Sequence, residues 1–284
     1  MKVSLCGAGL GGERLSFLDF ANLASSTGFD GFDCGPDGAL EAITTFGLED
    51  IRTRLAVLGV VPAVFGLDVE WRYSDDAFAA SIIGFEARVQ AMTSLGCSRC
   101  CTWIPPSSSE LSSAWYARTV ERLKRIINIL DRYGVRLGLE FVGPHHLRAG
   151  GVNAMGAYPT IWNLQQTLSL ISDIGCPSVG LLIDTYHLDT TGTDVGVLNT
   201  LGDGLIVHAH INDAPLTTTM ETARDGERVL PGTGRLPLQD FVTALEQLKY
   251  SGYICCEVLS TTPLGYNHTV SANNIRRSLR QFRL

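Results

Sequence analysis

From residue 140 onward, this 284-residue chain places side chains that can do chemistry inside apolar segments. Glu140 and Glu257 each interrupt such a segment, Asp184 ends one, and His210 lies near the end of another. A buried carboxylate without a partner is costly, and a shared cation removes that cost. A centre of two glutamates, an aspartate and a histidine is rich in hard oxygen ligands. The four residues therefore predict one bound divalent metal ion, with Mn²⁺ favoured and Mg²⁺, Co²⁺ or Zn²⁺ as alternatives.

Each of these residues also has an ordinary structural explanation when it is taken alone. Glu140 could pair with an arginine, and the Asp184-x-x-His187 spacing could cap a helix or form a turn. Alternate residues of a strand point to the same side, so only one of His208 and His210 need be a ligand. We expect it to be His210, nearer the strand end, and leave the role of His208 open. The recurrence on four consecutive segments favours a common site.

Eight short apolar runs recur along the chain and predict its fold. They cover residues 3–7, 31–34, 57–65, 97–104, 135–141, 178–183, 205–211 and 253–259. Division of 284 residues by eight gives a unit of roughly 36 residues. Runs that are apolar without alternation are typical of parallel strands covered on both faces. We therefore predict an α/β fold, a (β/α)₈ TIM barrel, with residues 1–284 as a single domain.

Amphipathic segments separate the runs and are predicted to be helices. They cover residues 16–27, 48–58, 77–95, 114–133, 238–250 and 273–282. A doubly wound open sheet is the alternative fold, but residues 7–12 offer only a near match to its glycine motif. In a barrel, the carboxyl ends of the strands carry the active site. That rule would bring Glu140, Asp184, His210 and Glu257 together at one end of the barrel.

Composition and charge narrow the class of partner. The chain has 22 basic and 29 acidic residues, a net charge of −7, which disfavours nucleic acid. The longest apolar run is too short to span a membrane, and the first residues lack the pattern of a signal peptide. We expect a cytoplasmic protein whose eight cysteines are reduced, and the arginines at 276, 277, 280 and 283 form a solvated or homo-oligomer face.

Five short motifs together resemble the xylose-isomerase-like TIM barrels, the sugar phosphate isomerase/epimerase superfamily. They are Leu139-Glu140, Asp184-x-x-His187, His210-Ile-Asn-Asp213, Pro231-Gly-Thr-Gly234 and Cys256-Glu257. The resemblance implies one divalent metal on Glu140, Asp184, His210 and Glu257. It also implies substrate contacts from His187 and from Arg228, three residues before the Pro-Gly pair.

One position departs from the pattern of the ketose 3-epimerases in that family. Those enzymes carry a substrate-binding carboxylate six residues after the first metal glutamate, where this chain has His146. This argues against a simple ketohexose epimerase and makes His146 a candidate substrate contact or acid/base group. The role of the adjacent His145 stays open. The DNA-repair endonucleases of the same barrel carry histidine ligands on earlier strands, whereas the first histidine here is His145.

The predicted activity is proton transfer next to a carbonyl group. Glu140 and Glu257 would take and return the proton while the metal stabilises an enediolate. This predicts a metal-dependent sugar or cyclitol isomerase or epimerase. A lyase on the same site, either a dehydratase or an enzyme that cleaves 3-keto glycosides by β-elimination, is the alternative. Trp103 and Trp71 could each stack on a sugar ring, or they could pack at the barrel rim.

Overall fold

The structure, a computed structural model, describes residues 1–11, 14–202, 204–259 and 262–284. Gly12, part of the glycine-rich stretch after the first strand, lies outside these ranges. Across the described ranges, no helix combines the length and apolar character needed to cross a membrane.

Eight parallel strands within the described residues close into a barrel, which confirms the predicted fold. The strands are β1 (Lys2–Leu5), β2 (Gly31–Cys34), β3 (Val61–Gly66), β4 (Arg99–Ile104), β5 (Arg136–Phe141), β6 (Val179–Asp184), β7 (Ile206–Ile211) and β8 (Tyr253–Cys256). Each strand pairs with its neighbours in sequence, and β1 pairs with β8 to close the ring. A two-residue antiparallel pair, Ser107–Ser108 with Tyr158–Pro159, lies outside the barrel.

Helices follow the strands and cover the barrel. They are α1 (Phe17–Ser26), α2 (Pro36–Phe46), α3 (Leu48–Leu58), α4 (Asp75–Ser81), α5 (Phe85–Ser94), α6 (Ser112–Asp131), α7 (Leu164–Ile174), α8 (Thr185–Thr190), α9 (Leu238–Gln247) and α10 (His268–Arg280). A large apolar core lies between helices and strands. A smaller cluster of Val64, Cys101, Leu182 and Val207 comes from four different strands.

The structure corrects three predicted boundaries. The segment 77–95 is two helices, α4 and α5, because Gly84 takes a left-handed backbone (φ +73°) between them. The third strand begins at Val61 and not at residue 57, since α3 continues to Leu58 and Gly59 ends it at φ +68°. The last helix begins at His268, five residues before the predicted start.

Helix α2 was missed by the apolar periodicity. Its start nevertheless carries a recognisable signal, because Pro36 occupies the first helical turn, where its missing N–H costs nothing. All eight cysteines lie in the described ranges and carry free thiols.

Candidate active site

Strand register brings the four predicted metal ligands to one end of the barrel. Asp184 at the end of β6 lies opposite His210 of β7. Glu140 is the next-to-last residue of β5 and so lies near the same edge of the barrel. Glu257 comes directly after β8, one residue beyond Cys256. Because parallel strands end at the same edge, side chains from distant parts of the sequence meet at the carboxyl face of the barrel.

The four side chains are close enough to hold one ion. One ligand atom from each residue lies within 4.8 Å of the others. The Nδ1 atom of His210 is 3.3 Å from Glu140 Oε1, 3.7 Å from Asp184 Oδ2 and 3.3 Å from Glu257 Oε2. The predicted ligand set is therefore a compact cluster in the folded chain.

The polar atoms of this cluster fit a divalent cation. Glu140 Oε1 and His210 Nδ1 are buried, and among the described residues neither makes a hydrogen bond. Buried polar atoms in native proteins nearly always have a partner, so such a pair fits a binding site for an ion or water. Three carboxylates and one imidazole would supply the oxygen and nitrogen ligands that Mn²⁺ or Zn²⁺ accept.

Asp184 is a helix cap and a member of the cluster at the same time. Its Oδ1 atom accepts hydrogen bonds from the backbone N–H groups of Tyr186 (2.6 Å) and His187 (3.3 Å), which begin helix α8. Its Oδ2 atom accepts from Asn212 Nδ2 at 2.9 Å. Asp184 can therefore be both a helix cap and a metal ligand, because Oδ1 caps α8 and Oδ2 faces His210.

Arg228 ties the acidic residues of the site together. Its Nη1 group donates to Glu257 Oε2 at 2.7 Å and to Asp184 Oδ2 at 3.0 Å. Its Nη2 group donates to Asp225 Oδ1 at 2.7 Å and lies 3.2 Å from His187 Nε2. Arg228 is 3% exposed, and burial opposes its charge, but these carboxylates raise its pKa well above the ordinary value.

The electrostatics of the site reflect its excess of carboxylates. Burial raises the pKa of Glu140 although His210 acts in the opposite direction. Burial also opposes ionisation of Glu257, but His210 and Arg228 bring its pKa below the ordinary value. For His210, burial favours the neutral ring, yet Glu257 and Glu140 raise its pKa well above 6.5. The same negative charge favours a bound cation.

The remaining histidines occupy distinct positions. His187 is 2% exposed; its Nδ1 accepts from the Gly143 N–H at 3.3 Å, and its Nε2 is 4.0 Å from Glu140 Oε1. His145 and His146 lie half-buried in one short 3₁₀ turn after β5, and burial lowers the pKa of His146.

His208 belongs to a second group, which also contains Asp33 and Cys255. Its Nε2 atom lies 2.9 Å from Asp33 Oδ2, and its ring packs edge-on against His210 with centroids 5.1 Å apart. Burial raises the pKa of the Cys255 thiol. The His208 nitrogen nearest Asp33 has that carboxylate as its partner, whereas its Nδ1 atom is buried and makes no hydrogen bond among the described residues.

A cavity of about 1090 Å³ opens over the cluster. Its wall includes Glu140, His210 and Glu257, together with Trp103 of β4. Trp103 is 38% exposed, and the Arg72 guanidinium lies 4.3 Å from its ring centre. Trp71 is buried instead, and its indole N–H donates to Thr102 at 3.2 Å, so it packs below the rim.

The cavity extends to the side of β1 and β2, and His146, His187 and Arg228 are not among the residues of its wall. Asp33, which lies in this wall, was not predicted as a site residue. It could have been found by the rule applied to Glu140, since it is an acid at the end of an apolar run. Asp225 was also missed, and only its contact with Arg228 reveals it.

The closed parallel barrel with ligand residues at its carboxyl face defines a TIM-barrel protein with a candidate metal centre. Residues 21–283 match the family described as xylose isomerase-like TIM barrel, and the chain belongs to that family. An inosose isomerase of Bacillus subtilis is 26% identical over 140 residues, 49% of this chain and 46% of that protein. The aligned part thus spans about half the length of this curated relative.

Two solved structures resemble the whole chain. A xylose isomerase domain protein from Alicyclobacillus acidocaldarius superposes with a TM-score of 0.88 at 29% identity, covering 99% of this chain and 97% of the other. A protein named IOLI with a bound zinc atom superposes with a TM-score of 0.80 at 18% identity, covering 99% and 98% of the two chains. The latter likeness is one of fold.

Proposed function

We propose that this protein is a divalent-metal-dependent isomerase or epimerase of a sugar or cyclitol. The observation that carries the proposal is the cluster of Glu140, Asp184, His210 and Glu257, whose ligand atoms lie within 4.8 Å of one another at the carboxyl face of the barrel. The similarity to an inosose isomerase supports a carbonyl compound with neighbouring hydroxyl groups as substrate.

The proposed metal ligands are these four side chains, with Mn²⁺ as the first ion to test. A bound divalent cation would act as a Lewis acid on a carbonyl oxygen of the substrate. Arg228 keeps Asp184 and Glu257 in place through its hydrogen bonds at 3.0 and 2.7 Å. The Asn212 side chain fixes Asp184 in the same way.

The proton transfer is assigned to Glu140 and Glu257. Glu140 Oε1 and Glu257 Oε2 each lie 3.3 Å from His210 Nδ1. Glu140 belongs to β5, whereas Glu257 directly follows β8. One carboxylate can take a proton from the carbon next to the carbonyl, and the other can return one. Return to the opposite face of the same carbon gives epimerisation, and return to the neighbouring carbon gives isomerisation.

Substrate contacts are assigned to the residues around the cluster. Trp103 offers an exposed ring in the cavity wall for stacking on a sugar face. His146, His187 and Arg228, which do not line the cavity, remain proposed contacts. Of these, His187 is nearest to Glu140, at 4.0 Å.

A lyase on the same residues is the second candidate. β-Elimination requires room for a leaving group beside the reacting ring, and the cavity of about 1090 Å³ provides such room. Loss of water would make the enzyme a dehydratase, and loss of an aglycone would make it a keto-glycoside-cleaving enzyme.

Proton exchange in D₂O tests these proposals. Purified protein with and without Mn²⁺ is incubated with ketohexoses, inososes and 3-keto glycosides, and NMR follows deuterium at the carbon next to the carbonyl. We expect Mn²⁺-dependent incorporation, reduced about 100-fold or more in Glu257→Gln. Glu246→Gln, an exposed glutamate on α9, is the matched control. An enone or a released group would favour the lyase, and absence of exchange with all three classes would reject the function.

A further inference from the structure

We propose that the substrate is an uncharged sugar or cyclitol derivative that carries a second, largely apolar group such as an aromatic aglycone. This group would bind in the distal half of the cavity, between the loop after β1 and helix α2. The inference rests on the proposed function, because it assumes that the reacting ring lies at Glu140, His210 and Glu257.

The first argument is size. Pockets that enclose drug-sized ligands measure roughly 300–1,000 Å³, and a single sugar ring is well below that ligand size. The cavity measures about 1090 Å³ and continues from the cluster without a break toward α1 and α2. A lone monosaccharide would leave most of it filled with water.

The second argument is the change of chemistry along the cavity. The walls near the cluster carry Asp33 and the ligand residues. Farther from the cluster, the wall carries Arg14, Asp37, Glu41 and Thr45 together with large apolar side chains. The apolar side chains are Leu10, Leu15, Phe17, Leu18, Phe20 and Phe46. Phe46, at the end of α2, is 50% exposed, so an aromatic face is available to a ligand. Such apolar walls favour an apolar ligand, since burial of its surface is stabilising.

Charge in the cavity argues against a phosphorylated substrate. The described lining residues include five carboxylates, at positions 33, 37, 41, 140 and 257. Against these, Arg14 is the one lining arginine, and no lining residue described is a lysine. Recognition of a phosphate normally uses arginine or lysine side chains. The amino end of α2 also lines the cavity, but its first turn carries the acidic Asp37, which disfavours an anion there. This wall therefore suits a neutral group.

Asp33 stands where the two halves join. Its Oδ2 atom is held by His208 at 2.9 Å, while its Oδ1 atom is buried and has no hydrogen-bond partner among the described residues. The next residues, Cys34 and Gly35, lead directly into α2. Asp33 thus marks the part of the wall that leads from the cluster to α2.

Paired substrates and paired variants test the inference. Exchange in D₂O is measured for methyl and phenyl 3-keto-glucosides, and binding of methyl and phenyl glucosides to the Mn²⁺-loaded protein is measured by calorimetry. We expect the phenyl compounds to bind at least tenfold more tightly. A phosphorylated ketose should bind more weakly than its neutral counterpart.

Thr45→Trp places a bulky ring in the distal half, since Thr45 is exposed and lines the cavity. Its neighbour Thr44 is exposed on the same helix but lies outside the lining, so Thr44→Trp is the matched control. The phenyl advantage should fall at least fivefold in Thr45→Trp and persist in Thr44→Trp. Equal affinity for methyl and phenyl compounds in the wild type, or an advantage that Thr45→Trp leaves intact, overturns the inference. If the methyl compound exchanges and the phenyl compound does not, the inference fails but the proposed function stands. If no substrate exchanges, both the inference and the proposed function are rejected.

Discussion

The Nη1 atom of Arg228 lies 2.7 Å from Oε2 of Glu257, a carboxylate of the candidate metal cluster. The same nitrogen lies 3.0 Å from Asp184 Oδ2, so one buried guanidinium bridges two of the four ligand residues. The positive charge of Arg228 can hold Asp184 and Glu257 close together before any cation binds. The cluster is thus built on a salt-bridge network and not on four independent side chains.

Removal of Arg228 should therefore be strongly destabilising. Arg228→Met leaves Asp184, Asp225 and Glu257 without their shared cation in a buried site, and loss of one partner of a buried pair costs about 3–5 kcal/mol. Urea unfolding followed by circular dichroism measures the free energy of unfolding. Arg280→Met, at an exposed position on α10, should change it by less than about 0.5 kcal/mol. Equal stability of Arg228→Met and wild type would show that the network contributes nothing.

The four-ligand cluster predicts metal affinity that depends on each member. Glu140→Gln and His210→Asn should each weaken Mn²⁺ binding by about 100-fold or more, since substitutions of mere supporting partners already cost 10–100-fold. Isothermal titration calorimetry on protein freed of metal by chelator measures the affinity. Glu246→Gln should bind Mn²⁺ as the wild type does. Unchanged affinity in both ligand variants would reject the cluster as the metal site.

His208 should matter more for stability than for the metal. It is fully buried and its Nε2 is 2.9 Å from Asp33 Oδ2, so His208→Asn leaves Asp33 without its partner. An unsatisfied buried group costs about 1–3 kcal/mol, which urea unfolding detects. Mn²⁺ affinity should fall less in His208→Asn than in His210→Asn. The opposite order would make His208 the ligand.

The buried cysteines should resist modification in the folded protein. Burial raises the pKa of Cys97 to about 12 and those of Cys100 and Cys101 well above their ordinary values. Because the thiolate is the reactive form, a raised pKa leaves less of it at pH 8, and at pH 9 Cys97 is still largely protonated. Ellman's reagent should first label the partly exposed Cys6 and Cys176. Cys34 is also partly exposed, but burial of its thiol raises its pKa, so it should react more slowly. All eight thiols should react only after unfolding. Rapid labelling of every thiol in the native state would contradict this burial.

Much of the fold could be read from local patterns. The apolar runs located the eight strands to within a few residues because a strand covered on both faces has few polar positions. Boundaries were wrong where one glycine decided them, as at Gly84, since a left-handed turn depends on local packing as well as residue type. Helix α2 was missed because its signal is a proline at the start and not a clear periodicity.

The sequence by itself determined the ligand candidates: acids and histidines at strand ends are conspicuous, and a parallel barrel must bring those ends together. Only the tertiary structure decided that Asp184 caps α8 with one oxygen while the other faces His210. The tertiary structure also brings together His208 and Asp33, which are 175 residues apart, and Asp225 and Arg228. It places the cavity between the cluster and helices α1 and α2. The reason is physical: periodicity fixes the face of a strand on which a residue lies, but partners distant in the chain and the space between them depend on how the strands and loops pack.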